Sequence, residues 1–383
     1  DNAATSWPKP EIVYETMESF LREKGGNPGR ASHSLAIAAG SAIEEARILA
    51  ARLINAPDKD RVIFTLNCTD ALNLGLKGLL KPRDHVITDQ ISHNSIVRPL
   101  TKLQQQGVKV THLAPNSEDG YLSAEDIENA IIEDTKLIVV THASNVTGVI
   151  QPIEEYGAIA RKYGLVLMVD AAQTAGTYPI DVQDGNIDLI AFSGHKGLLG
   201  PTGIGVLYVG ERAELDSIRE GGTGSQSELE QQPTELPQRY ESGTPNTVGI
   251  AGLGAALRYI LDQGIDKIRE HEIKLTDHLL TSLALLPQIT VYGPKDSAKQ
   301  VAIVSFNVAG WEPGEVGVIL DQSFDIKVRT GLYCAPAAHK TFGTFPKGSV
   351  RMGLSYFNTH EEIDFALEAL KKIADSKSET NKT

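Results

Sequence analysis

From about residue 60 to 210 the chain alternates short apolar runs with stretches of helical periodicity. Val62–Thr65, His85–Thr88, Val108–Leu113, Leu137–Thr141, Leu165–Asp170, Leu189–Ser193 and Ile204–Val209 read as strands. Between them, Asp70–Leu80, Ile96–Gln106, Ala124–Ile132 and Ile153–Tyr163 read as helices. Runs such as LIVV (137–140) and LVLMV (165–169) lack polar alternation, the pattern of strands covered on both faces. Such alternation predicts βαβ units, a mostly parallel sheet and an α/β fold. In these sheets ligands gather outside the carboxyl ends of the strands, so the residues that follow each strand are the ones to inspect.

The pattern breaks at Glu220–Asn246, which is rich in Gly, Ser, Thr, Gln, Glu and Pro. A stretch of that length is a functional loop or a linker rather than an ordinary connection. Helical periodicity returns at Val248–Gln263 and Ile268–Leu286. Strand-like Ile289–Val291 and Val301–Val308, a short helix at Pro313–Leu320 and a closing helix at His360–Ala374 follow. The expectation is a large domain over 17–250, with 1–16 and 251–383 forming a smaller α+β domain. The polar tail SKSETNKT is expected to fray.

Composition narrows the function. The 383 residues are 41% hydrophobic and 22% charged, ordinary for a globular chain. The net charge of −13 argues against a nucleic-acid or anionic-membrane partner, which needs clustered basic charge. Two cysteines, Cys68 and Cys334, cannot build a disulfide framework and are too few for a zinc site built on Cys, so no metal is expected. No apolar run approaches a membrane span, and no secretory leader is recognisable, so a cytoplasmic location is expected. The glycosylation triplets at Asn67, Asn145 and Asn381 then read as chance matches. No phosphate-binding glycine motif follows a strand.

Two strand ends carry chemistry. Leu165–Asp170 ends in an acid before Ala171-Ala172, and Leu189–Ser193 runs into Gly194-His195-Lys196. Both ends emerge at one rim of the sheet. A lysine can form a Schiff base with pyridoxal phosphate, and an aspartate can keep the pyridine nitrogen protonated. The plainer alternative is a solvated lysine and a turn-capping aspartate.

With these residues in view, AFSGHKGLLGPTGIGVLYVG resembles the lysine segment of class V aminotransferase-like enzymes, in particular the cysteine desulfurase and selenocysteine lyase group. DNAATS, FTLNCTDALNL, ISHNSIV, THASNVTG, VDAAQTAG, ESGTPN, VRTGLYCAP and VRMGLSYFNTHEEID follow in matching order over nearly the whole chain. The resemblance implies a type I pyridoxal-phosphate fold, with a mostly parallel seven-stranded sheet in the large domain and a smaller α+β C-terminal domain.

The resemblance also implies roles. Lys196 matches the Schiff-base lysine, Asp170 the pyridinium partner, and His93 the imidazole stacked on the ring and a candidate proton carrier. Gln173 matches the side chain near the phenolic oxygen. Ser193 and His195 match phosphate contacts. Cys68-Thr69 stands where the family usually carries Thr-Thr, at a helix start that suits a phosphate dianion. Asn145 and Arg351 match the substrate-carboxylate grip, a task suited to the planar guanidinium fork. Thr244 matches a threonine that reaches the phosphate from the second subunit, which implies a homodimer. Each has a plainer reading: a helix cap for Thr69, a satisfied histidine for His93, a surface turn for Thr244 and a surface arginine for Arg351.

Cys334 decides the reaction. Gly331, Ala335 and Pro336 mark a loop that could present the thiol, whereas a free cysteine is otherwise a small buried hydrophobe. The short connection after Arg329-Thr330-Gly331 resembles the SufS-like type, although Leu332-Tyr333 stands where that type often carries histidine or other polar residues. The resemblance implies conversion of L-cysteine to L-alanine, with a persulfide on Cys334 passed to a sulfur-acceptor protein. A β-lyase cleaving the C–S bond of cysteine or cystine would need no Cys334. A selenocysteine lyase would use the same residues on L-selenocysteine. An aminotransferase leaves the cysteine loop without a purpose, and a non-enzymatic partner leaves the lysine and aspartate unused.

Overall fold

The computed structural model describes residues 1–28, 33–224 and 226–380. Two helices, α1 (Glu11–Glu23) and α2 (Ser34–Leu53), precede the alternating region. The order then runs β1 (Val62–Thr65), α3 (Cys68–Leu79), β2 (His85–Asp89), α4 (Asn94–Gln104), β3 (Lys109–Leu113), α5 (Ala124–Asn129) and β4 (Thr135–Thr141). It continues with α6 (Ile153–Tyr163), β5 (Val166–Asp170), β6 (Leu189–Ser193) and β7 (Gly205–Val209). These seven strands form one sheet in the order β1-β7-β6-β5-β4-β2-β3. Only β7 runs against its neighbours; the pairs among β2 to β6 are parallel. The central strands β5, β6 and β7 are buried along their whole length, as uniform apolar runs require.

The described residues of the stretch 220–246 form an irregular loop fastened to the large sheet rather than a free linker. Arg47 and Glu241 make a two-armed ion pair, 2.8 Å on each arm, and Glu241 also accepts from the main chain of Phe64 at 2.6 Å. Arg47 is buried, so removing either partner would strand a charge. At the start of the loop, Arg219 pairs with Asp70 at 2.8 Å, beside the first turn of α3.

The second half contains α7 (Thr247–Gln263), α8 (Ile265–Ala284), β8 (Ile289–Tyr292), β9 (Ile303–Val308), α9 (Pro313–Phe324), β10 (Arg329–Gly331), α10 (Pro336–Thr341), β11 (Ser349–Gly353) and α11 (His360–Thr380). The strands form a four-stranded antiparallel sheet, β10-β11-β9-β8, with its own core from Leu275 to Ala374. Helix α7 packs on α1 and α2 and buries Leu253 and Leu257 in the core of the large sheet. Position 250 therefore falls inside one continuous helix.

Helices α1, α2 and α10 and strands β10 and β11 add to the elements read from periodicity. The closing helix extends to Thr380, six residues past the expected 374, so most of the polar tail is helical. Asn381-Lys382-Thr383 lies outside the described residues. Among the described residues, no helix is long and apolar enough to cross a membrane.

Candidate active site

The site lies at the carboxyl rim of the large sheet. Asp170 ends β5 and Ser193 ends β6, two neighbouring parallel strands, so the aspartate and the lysine loop face the same space. A cavity of about 270 Å³ opens there, walled by Cys68, Thr69, His93, Asn145, Asp170, Gln173, Ser193, His195 and Lys196, among others. Nine of the twelve residues expected in the site thus share one wall. Arg351 and Cys334 adjoin it through Asn145, whose carbonyl accepts from Arg351 Nη1 and whose Nδ2 donates to the carbonyl of Tyr333, the residue before Cys334. Thr244 does not reach this cavity. It lines a separate space with Arg219, Gly203 and Asn246.

Helix α3 points its start at the cavity. Asn67 caps it by accepting from the Asp70 amide at 2.9 Å, and the Cys68 amide donates to Ser193 Oγ at 3.3 Å. The Thr69 hydroxyl meets Ser95 Oγ at 2.7 Å. The close fit of β7 sets this geometry. A Cβ on Gly205 would come within 2.3 Å of the Asn67 main chain. His195 Nδ1 is buried and has no partner. Burial pushes the His195 pKa down to about 4, helped by Lys196 and Lys9, so the ring is neutral and can donate one N–H.

Asp170 Oδ1 accepts from the Ala172 amide at 3.0 Å and lies 3.5 Å from Cys68 Sγ. Burial drives the Cys68 thiol well above the ordinary cysteine range, and Asp170 adds to the shift. Burial lowers the Lys196 amine, while Cys68 and Asp170 oppose the change. A lysine so shifted is a better nucleophile and base.

His93 caps α4: its Nδ1 accepts from the Ser95 amide at 3.0 Å. That bond leaves the proton of the neutral ring on Nε2. Burial lowers the His93 pKa, with Asp170 opposing, and so favours the neutral form. The cap uses Nδ1 and does not engage Nε2. Gln173 Nε2 donates to the Ala3 carbonyl at 3.1 Å, which ties the N-terminal DNAATS segment to the wall. The His195 carbonyl accepts from Ser6 N, Thr5 Oγ1, Ser6 Oγ and Lys9 Nζ, which fixes the residue before Lys196.

Arg351 lies on β11 and is buried. Its Nη1 donates to the Asn145 carbonyl at 2.8 Å and its Nη2 pairs with Asp1 at 2.9 Å, while Nε has no partner. Burial lowers its pKa to about 10, so it stays charged at neutral pH. Cys334 is exposed, whereas Cys68 is buried. Sequence reading did not single out Asn67 and Ser95, which also line the cavity. Both occupy the starts of helices, where an Asn or Ser looks like any other cap.

The donor set fits pyridoxal phosphate. Helix amides, Ser193 and the unpartnered His195 nitrogen suit a dianion, Asp170 suits a protonated ring nitrogen, and Lys196 suits an aldehyde.

Comparison with known proteins agrees with this chemistry. Residues 1–365 match the family model described as aminotransferase class-V. A probable cysteine desulfurase of Methanothermobacter thermautotrophicus is 36% identical, with 97% of this chain and 94% of the relative covered. One from Pyrococcus abyssi is 38% identical, with 98% and 94% covered. The apo structure of a cysteine desulfurase from Thermococcus onnurineus has a TM-score of 0.91 and 36% identity, with 98% and 94% covered. The S-sulfonic acid form of the Escherichia coli cysteine desulfurase CsdA has a TM-score of 0.86 and 29% identity, with 97% and 93% covered. The chain belongs to the class-V aminotransferase family, and its relatives there are named as cysteine desulfurases.

Proposed function

We propose that the protein is a pyridoxal-phosphate-dependent cysteine desulfurase that converts L-cysteine to L-alanine and takes the sulfur onto Cys334. One observation carries the reading: the exposed thiol of Cys334 directly follows Tyr333, whose carbonyl accepts from Asn145 Nδ2 and whose ring lies under the Arg351 guanidinium. A lyase that only eliminates sulfide has no use for a thiol in that position.

Bound in the cavity, pyridoxal phosphate would supply the sink for the electrons of the substrate Cα–H bond. The α3 amides, Thr69, Ser193 and His195 would hold its phosphate, with Cys68 contributing its amide rather than its thiol. Asp170 would keep a proton on the ring nitrogen. His93 would serve as the ring-stacking imidazole, and Gln173 would serve the phenolic oxygen. Arg351 and Asn145 hold the substrate carboxylate. Lys196 Nζ takes the Cα proton. The Cys334 thiolate then attacks the substrate sulfur: a new S–S bond forms, the C–S bond breaks, its electron pair stays on Cβ, which takes a proton, and Lys196 returns a proton to Cα to give alanine. The persulfide leaves by transfer to an acceptor protein or a thiol reductant.

In this reading Thr244 completes the phosphate site of a second copy in a homodimer, which agrees with its distance from its own cavity. The cofactor-holding unit then runs past the expected boundary at 250 to the end of α7, and the smaller unit around the β10-β11-β9-β8 sheet supplies Arg351 and Cys334. The test is Cys334→Ala. The variant should keep the cofactor absorbance and lose alanine and sulfide production by at least about a hundredfold. Parent-rate turnover would overturn the assignment of the nucleophile.

A further inference from the structure

Tyr333 touches both groups on which the proposed reaction depends. Its ring lies under the Arg351 guanidinium, 4.8 Å from carbon to ring centroid. Its carbonyl accepts from Asn145 Nδ2 at 2.8 Å. Its hydroxyl donates to the Ser349 carbonyl, on the same strand as Arg351. The ring is only 5% exposed, and the His339 imidazole packs against it at 5.1 Å.

The main chain is unusual here. Tyr333 has φ 47° and Cys334 has φ 59°, two successive non-glycine residues in the left-handed region. Such a pair persists only where the surroundings enforce it. The Ala335 amide closes the turn onto Leu332 O at 2.9 Å, and the Asn94 amide donates to Cys334 O at 2.8 Å. The buried ring of Tyr333 anchors the turn from the other side.

Arg351 gains its orientation from the same residue. Asn145 O and Asp1 hold its two terminal nitrogens, and Tyr333 covers one face of the plane. A desolvated cation over an aromatic ring is held more strongly than an exposed one. Leucine or a small residue at 333 would leave that face without a partner and relax the turn that presents the thiol.

We propose that Tyr333 is a positioning residue that sets the carboxylate grip of Arg351 and Asn145 and the Cys334 thiol as one unit. The inference rests on the cysteine desulfurase reading for what that unit does. It adds that carboxylate recognition and thiol presentation fail together when one ring is removed.

The test compares Tyr333→Leu, Tyr333→Phe and the parent, full-length and loaded with pyridoxal phosphate. Dissociation constants for L-cysteine and for cysteamine, which lacks the carboxylate, are read from the cofactor absorbance. Tyr333→Leu should weaken L-cysteine about tenfold and leave cysteamine within about twofold. Tyr333→Phe keeps the ring and should restore L-cysteine to within about threefold of the parent. In the cofactor-free chain, iodoacetamide should alkylate Cys334 at a rate changed several-fold by Tyr333→Leu and little by Tyr333→Phe. Equal loss of both ligands, or an unchanged L-cysteine constant with an unchanged alkylation rate, would overturn the proposal. If Tyr333→Leu does not fold, Tyr333→Met serves in its place, with the same expected and contrary results. Pyruvate in place of alanine from the parent enzyme would instead count against the desulfurase reading, since the ligand comparison reads carboxylate binding whatever the product.

Discussion

The Sγ atom of Cys68 lies 3.5 Å from Oδ1 of Asp170, deep in the cavity wall. This contact separates the chemistry of the two cysteines. Burial and the neighbouring carboxylate keep the Cys68 thiol protonated, and a protonated thiol is a poor nucleophile. Iodoacetamide at pH 8 should therefore label Cys334 and spare Cys68 in the native protein. Peptide mass analysis reads the result. Labelling of Cys68 at a comparable rate would contradict the buried, proton-holding role.

Among the described residues, Lys196 is the one lysine lining the cavity, and its lowered pKa favours the free base that can react with an aldehyde. Lys196→Ala should still take up pyridoxal phosphate, held by the α3 amides, Ser193 and His195. It should lack the absorbance band of a lysine-linked cofactor, and borohydride should fix no cofactor to the chain. A retained lysine-linked chromophore would place the linkage on another residue.

Gly205 makes room for the start of α3. Its missing Cβ would lie 2.3 Å from the Asn67 main chain, too close for either backbone to stay in place. Gly205→Ala should cost about 1–3 kcal/mol of stability. It should also weaken cofactor binding, because the helix amides proposed to hold the phosphate move with Asn67. A thermal scan and a cofactor titration measure the two effects. A loss of stability with unchanged cofactor affinity would show that the helix start is not part of the phosphate site.

Glu272 on α8 is a buried acid whose pKa burial raises to about 8, with Arg269 opposing. A raised carboxyl pKa means that the folded state holds the proton more tightly than the unfolded state. Stability from this group is thus full below its unfolded pKa and is lost as pH rises toward about 8. Glu272→Gln keeps the shape of the neutral acid. Its melting temperature should gain on the parent steadily between pH 5 and pH 8. Parallel curves over that range would mean that Glu272 is not held in its neutral form.

Much of this arrangement could be read along the chain, for reasons that lie in particular residues. β5 and β6 are uniformly apolar and each ends in one polar residue, so Asp170 and the Ser193–Lys196 turn stood out. β11 did not, because the buried Arg351 interrupts its apolar run; only Tyr333, Asn145 and Asp1 make that burial tolerable. α2 buries Ala39, Ala46 and Ala50, small residues that form a weak stripe. β10 is three residues long and leaves no period to detect. Asn67 caps α3 and Ser95 lies in the first turn of α4, places where such residues carry no signal of a site. The link between Tyr333 and Arg351 joins positions that meet only when β10 pairs with β11.

The fate of L-cysteine separates sulfur transfer from elimination. The direct measurement is product analysis with the pyridoxal-phosphate-loaded protein, L-cysteine and a thiol reductant. Alanine and sulfide in equal amounts, lost in Cys334→Ala, is the result expected of a sulfur-accepting thiol beside Lys196 and Arg351. Pyruvate and ammonia, formed equally well without Cys334, would contradict it and leave that thiol outside the reaction.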